Sequence, residues 1–144
     1  MHESAIDSLA ELFESTQQVH IRLALYTTLR KIATGSRSFQ MALIRVLEQR
    51  QSDPAHSHFD SNFAWTLGHA NLELDLVREA RKILFDLLSK ARQSGWHKTA
   101  GGTARALVAL ETNFPSGDRR MAEVQTMANR RKQDLINEAS DIWY

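Results

Sequence analysis

The chain has 144 residues, with 18 Lys and Arg against 17 Asp and Glu for a formal net charge of +1. Its length falls in the ~100–200 residue range of one domain, so we expect a single domain over residues 1–144. A content of 42% hydrophobic and 24% charged residues excludes the composition of a disordered chain. The absence of cysteine excludes disulfides, thiolate nucleophiles and cysteine-ligated zinc.

Apolar residues at helical spacing predict three helices in the first third of the chain. We expect the first helix over about residues 4–14 and the second over about 17–33, with a break at Ser15 or Thr16. Gly35 is expected to end the second helix, because glycine adopts the left-handed conformation that follows many helices. A third helix is expected over about 38–51, with these residues buried: Phe39, Leu43, Val46 and Leu47.

The segment from Asp60 to Gly95 predicts one long, uninterrupted helix. Small or apolar residues follow a four-then-three alternation there, with a second apolar stripe beside it, so the buried face is wide. Gly68 within it indicates the close approach of a neighbouring helix, a bend, or a tolerated glycine. The positions of the first stripe are Phe63, Leu67, Ala70, Leu74, Val77, Arg81, Leu84, Leu88 and Ala91.

Two further helices complete the predicted fold. One is expected from Thr99 or Thr103 to Pro115, and the last opens at Ser116 or Asp118. The stripe of the last helix comprises Met121, Val124, Ala128, Arg131, Leu135, Ala139 and Ile142. No segment shows the two-residue alternation of a strand. We therefore predict an all-α fold, a compact bundle of five or six helices in which the fourth and last helices are long antiparallel members.

The apolar runs of the sequence are short, and none of them approaches the ~20 residues that a helix needs to span a bilayer. Residues 1–10 do not resemble a secretory signal. We expect a soluble, cytoplasmic protein with no membrane partner.

The sequence contains no recognisable catalytic motif. It lacks a nucleophile with an attendant base, a carboxylate pair in an apolar segment, and a phosphate-binding glycine loop ahead of a lysine. Histidines and acids that offer metal ligands do not follow the spacing of known sites, so we expect neither metal nor cofactor and predict a non-enzyme. The ligand candidates considered are His56, His58, Asp60, His69 and Glu73.

The first functional hypothesis is a non-catalytic protein-interaction module, such as an adaptor, a regulator or a small chaperone-like protein. Its partner is expected to be another protein or a second copy of itself, in a homodimer. Ile142, Trp143 and Tyr144 either pack into the core or form an exposed anchor, for which Trp and Tyr are well suited. Arg81 and Arg131 interrupt apolar stripes, so their stems lie along apolar surface or their charges pair with acids across helices or a dimer interface.

A second hypothesis rests on the uneven charge of the chain. Residues 90–132 carry nine basic and three acidic side chains, and both flanking ends are acidic. We therefore consider a nucleic-acid-binding regulator that contacts phosphates through the last helix. The residues concerned are Arg119, Arg120, Arg130, Arg131 and Lys132.

A third hypothesis concerns the run from Trp96 to Ala104, in which His97 is followed by Lys98 and then by small residues. The run resembles the neighbourhood of the phosphoryl-accepting histidine in histidine phosphotransfer domains, which are helical bundles. The resemblance implies that His97 accepts a phosphoryl group, because small neighbours leave room for a donor domain. In that family the histidine lies in mid-helix, whereas Gly95 predicts a helix end just before His97.

Overall fold

The computed structural model describes residues 3–50 and 60–142, and seven α-helices account for most of them. The described part contains no strand, so the all-α class is confirmed, while the number of helices exceeds the five or six predicted. The helices are α1 (Glu3–Ser15), α2 (Val19–Ile32), α3 (Arg37–Arg50), α4 (Asp60–His69), α5 (Leu74–Ser94), α6 (His97–Asn113) and α7 (Met121–Ile142). None of them is long and apolar enough to cross a membrane.

The prediction of one long helix from Asp60 to Gly95 is wrong, because the helix is interrupted at residues 70–73, between α4 and α5. The side-chain amide of Gln40 donates to the carbonyls of Thr34 and Asn71 and so ties this connection to the α2–α3 turn. Arg37 forms ion pairs with Glu73 and Asp75, which fixes the first turn of α5. The break moves Leu74 out of the expected buried stripe and leaves it 81% exposed.

On α5 the apolar positions of both predicted stripes are buried from Leu76 onward. Gly95, with a φ of 73°, ends the helix as expected, since this left-handed conformation favours glycine. The buried residues of α5 are Leu76, Val77, Ala80, Ile83, Leu84, Phe85, Leu87, Leu88 and Ala91.

The predicted break between the first two helices is confirmed at residues 16–18. The guanidinium of Arg22 donates to the carbonyls of Phe13, Glu14 and Thr16, at the end of α1. These carbonyls have no partner within the helix, so the arginine stabilises the turn that redirects the chain. α1 then packs on both α2 and α3.

An aromatic cluster joins the first three helices to α4. The ring of Phe13 packs edge-on against those of Phe39 and Phe63, at 5.9 and 5.5 Å between centroids, and Tyr26 packs on Phe63 at 4.9 Å. The Tyr26 hydroxyl lies 2.8 Å from Thr66 Oγ1 and donates to the Asn62 carbonyl, so its polar atom is satisfied.

α6 packs against α4, α5 and α7, and its small residues allow close contact. A Cβ on Gly68 of α4 would lie 2.9 Å from Ala106 Cα, which identifies this glycine with the close approach of a neighbouring helix. Gly101 faces the stem of Arg131, and Gly102 faces Ser61. α6 begins at His97, earlier than predicted, so these two glycines lie inside a helix.

The two longest helices of the described part, α5 and α7, both pack on α6, which corrects the expected pairing of long antiparallel helices. They also touch through side chains, since Arg92 pairs with Glu123 at 2.9 Å and the Arg120 guanidinium lies 3.6 Å from the Phe85 ring centre. Buried residues from all seven helices form one connected core.

Candidate interaction surfaces

α7 and α6 form an antiparallel pair that separates before α7 ends. The chain turns between them at residues 114–120, and further along α7 Arg131 packs over Gly101, near the start of α6. Only four residues of α6 precede Gly101, whereas eleven residues of α7 follow Arg131. At ~1.5 Å per residue these segments measure about 6 and 16 Å, so α7 extends about 10 Å beyond α6.

We call residues 132–142 the α7 extension. Val124 and Ala128 of the predicted apolar stripe are buried, but the stripe continues into the extension at Leu135 and Ala139. Leu135 is half-buried, Ile136 is 50% exposed, and the other side chains of residues 132–140 are exposed. The side chains of Ile142, Trp143 and Tyr144, which the sequence marks as partner-binding, lie outside the described residues.

The five basic residues of the nucleic-acid hypothesis do not form one patch. Arg119 and Arg120 precede α7, and Arg120 is held by two hydrogen bonds to Asp118 and by the Phe85 ring. Ten residues further on, about 15 Å along the helix, Arg130 and Lys132 are exposed. The side chain of Arg131 is only 16% exposed, because its stem packs over Gly101, which is one of the two arrangements predicted for it. Its guanidinium pairs with Glu138 of the same helix at 3.3 Å.

His97 lies at the first position of α6 and is exposed, not in mid-helix. It lines an open groove of about 440 Å³ between the end of α5, the start of α6 and α7. Three arginines line the same groove, and so do two carboxylates, so its net charge is small. These charged residues are Arg92, Glu123, Arg130, Arg131 and Asp134.

Arg81 is used inside the chain. Its guanidinium donates to the Phe114 carbonyl at 2.5 Å and lies 3.7 Å from Glu111, so it pairs with an acid across helices, one of the two arrangements predicted for it. The side chains of Arg81 and Glu111 are 19% and 21% exposed. The pair therefore fixes the connection after α6 on the side of α5.

Glu111 organises that connection. Burial raises the pKa of its carboxyl, but hydrogen bonds from the Ser116 amide and hydroxyl and from the Gly117 amide, with the Arg81 charge, lower the pKa below its ordinary value. A hydrogen bond from the Arg120 side chain, followed by one from its amide, lowers the pKa of Asp118 to about 2. Both groups therefore stay ionised where the chain enters α7.

A second groove, of about 430 Å³, lies where α2 and α4 diverge beyond the Tyr26 hydrogen bonds. Trp65 on its α4 side is 38% exposed, and the His69 ring packs against the indole at 3.8 Å between centroids. His69 Nδ1 lies 2.8 Å from the Trp65 carbonyl. Because a carbonyl only accepts, Nδ1 carries the hydrogen and Nε2 is left for another partner. We call this the Trp65 groove.

The expected absence of a metal site stays a prediction. Among residues 3–50 and 60–142 no three His, Asp or Glu side chains come together as a metal would require. Asp60 is buried at the start of α4, and Glu73 lies beyond the break and pairs with Arg37. His56 and His58 lie outside the described residues.

Comparison with models of protein families, with curated proteins and with solved structures finds no match to this chain.

Proposed function

We propose that the protein is a non-catalytic interaction module that pairs with a second copy of itself through the α7 extension. The observation that carries the proposal is the continuation of one apolar stripe past the end of α6. At Val124 and Ala128 the stripe is covered by α6, whereas Leu135 lies level with the first residue of α6 and is half-buried, and Ala139 lies beyond α6 and is exposed. A helix face that carries apolar side chains beyond its packing neighbour commonly packs against a second helix.

Charge order along the extension favours an antiparallel second copy. The turn at residues 130–132 is basic, and the acidic residues Asp134, Glu138 and Asp141 follow it along the chain. In an antiparallel pair centred near residue 137, position 133 of one copy faces position 141 of the other, so Lys132 of each copy comes near Asp141 of its partner. A parallel pair would align like charges and oppose association. In the antiparallel register Leu135 of one copy lies opposite Ala139 of the other.

The size of the contact sets the expected affinity. Two helices that overlap over about 16 Å, each about 10 Å wide, share a footprint of about 160 Å². Standard interfaces bury about 800 Å² on each partner. Because the contact is far smaller than this, we expect only weak, reversible dimers, which form at concentrations near 1 mM.

The test is sedimentation equilibrium of Ala139→Glu against the matched control Asn137→Glu. Both positions are exposed and both changes add one negative charge, but only Ala139 lies on the apolar stripe. We expect the unmodified chain and Asn137→Glu to dimerise with rising concentration, and Ala139→Glu to remain monomeric. A monomer at all concentrations in the unmodified chain, or equal weakening by both variants, would overturn the proposal.

Nucleic-acid binding is the second candidate, and the observation that favours it is the exposed Arg130 in the groove beside Arg92 and Arg131, which themselves pair with Glu123 and Glu138. Phosphate contacts would make binding fall steeply with salt. The test is retention of duplex DNA or RNA at ~50 mM salt, with Arg130→Gln expected to weaken it and Arg119→Gln, which lies outside the groove, as control. Absence of retention at that salt concentration would remove this candidate.

A further inference from the structure

We infer that the Trp65 groove binds an acidic peptide segment of a partner protein, with an apolar side chain seated against the indole and a carboxylate held by Arg30. This surface is separate from the α7 extension and does not depend on the proposed self-association. Its occupant is argued from the shape of the groove, its one large exposed ring and its charge.

The groove exists because two helices separate after a fixed contact. The Tyr26 hydroxyl ties α2 to Asn62 and Thr66 of α4. One turn further along, Arg30 on α2 and His69 on α4 line opposite sides of an open space. The turns that carry Thr34 and Asn71 form one end of that space, and Gln40 holds both of them through their carbonyls. The walls are therefore preformed, and little ordering is needed to bind a segment of extended chain.

Trp65 supplies the apolar contact. The His69 ring packs on its indole at 3.8 Å between centroids, the Arg105 guanidinium lies 4.6 Å from the ring centre, and the side chain is still 38% exposed. These neighbours hold the ring in one orientation at the surface. A rigid, partly exposed tryptophan loses little side-chain entropy on binding, which is why Trp is enriched at binding hot spots.

The charge of the groove selects an acidic partner. Arg30 lines it, the Arg105 guanidinium lies beside Trp65, and none of its described lining residues is a carboxylate. The nearby acids Glu73 and Asp75 are occupied by Arg37, which lowers the pKa of Asp75 through a hydrogen bond. A carboxylate in the groove would therefore meet Arg30 without a competing acid, whereas a basic segment would be repelled.

The test uses NMR of the full chain with synthetic peptides. The probe is a hexapeptide with two leucines between aspartates, and its control has lysine in place of each aspartate. We expect the acidic peptide to shift the Trp65 indole N–H and the His69 ring resonances with a dissociation constant between ~0.1 and 1 mM, and the basic peptide to leave them unchanged.

Two variants locate the contact. Arg30→Gln is expected to weaken the acidic peptide about tenfold, whereas Lys31→Gln, which removes the same charge from an exposed neighbour outside the groove, leaves binding unchanged. The melting temperature of each variant verifies that it is folded. Equal shifts from both peptides, no shift up to several times the expected dissociation constant, or equal weakening by both variants would overturn the inference. These outcomes do not involve the α7 extension, so a monomeric protein leaves this test unaffected.

Discussion

Replacing Gly68 with alanine tests whether backbone contact between α4 and α6 limits how close the core helices come. The new Cβ would lie 2.9 Å from Ala106 Cα and still nearer to its carbonyl oxygen. Carbon atoms pack best at ~3.5–4.0 Å, so α4 and α6 would have to separate by about 0.6–1.1 Å. Overpacking of this kind costs about 1–3 kcal/mol.

Two effects oppose each other in Gly68→Ala. Alanine gains about 1 kcal/mol over glycine inside a helix. The obstacle is backbone, not the flexible end of a side chain, so we expect the cost at the top of the overpacking range and a net loss of about 1–2 kcal/mol. For a chain of this length that loss corresponds to a fall in melting temperature of about 2–8 °C.

The assay is thermal unfolding followed by circular dichroism, with Gly35→Ala as the control. A Cβ at Gly35 meets nothing within 4 Å, and its backbone is not in the left-handed region. We expect that variant to be unchanged or stabilised by about 0.4–1 kcal/mol. If Gly68→Ala melts at or above the temperature of the unmodified chain, the close approach of α4 and α6 is wrong.

Two further predictions concern the connection before α7. Arg81→Met leaves the Phe114 carbonyl and Glu111 without the guanidinium. We therefore expect the free energy of unfolding to fall by about 1–3 kcal/mol, with a lower melting temperature. A higher melting temperature with unchanged oligomer mass would show that Arg81 does not stabilise or specify this packing. The lowered pKa of Glu111 means that its contribution to stability is complete above the ordinary value of 4.5 and is lost as the pH falls through the folded-state pKa. Acid titration of unfolding should therefore show a shallower loss below pH ~5 in Glu111→Gln, and an unchanged slope would contradict this role.

The sequence was most informative where local periodicity decides structure. The two apolar stripes between Leu76 and Ala91, the stop at Gly95 and the break after α1 are all confirmed. The stripe on α7 is confirmed where Val124 and Ala128 pack. In each case neighbouring residues determine the conformation, so the pattern is readable without tertiary contacts.

The break before α5 could not be read in this way. The four-then-three alternation runs through residues 70–73, and the contacts that hold the break come from Arg37 and Gln40, more than thirty residues earlier. Leu74 keeps the expected spacing but loses its burial, because the break changes the direction of the helix. Tertiary contacts of this kind override local pattern and leave only Gly68 and Asn71 as weak signals.

The candidate surfaces were predicted in part. The sequence marked the end of the last helix as an interaction site, but the length by which α7 passes α6 depends on where Arg131 meets Gly101. The Trp65 groove was missed altogether. It is built from two segments, residues 30–35 and 65–71, that are about thirty residues apart in sequence, and the nearest sequence signal was a tryptophan one turn before a histidine.

The most direct test of self-association is the distance between spin labels on two copies of the chain. The chain lacks cysteine, so Asn137→Cys or Gln125→Cys each provides one labelling site. An antiparallel pair centred near residue 137 predicts labels at 137 within about 20 Å of each other and labels at 125 separated by about 36 Å along the helix axis, at ~1.5 Å per residue. Equally short distances at both sites, or no dipolar coupling at concentrations near 1 mM, would contradict pairing through the α7 extension.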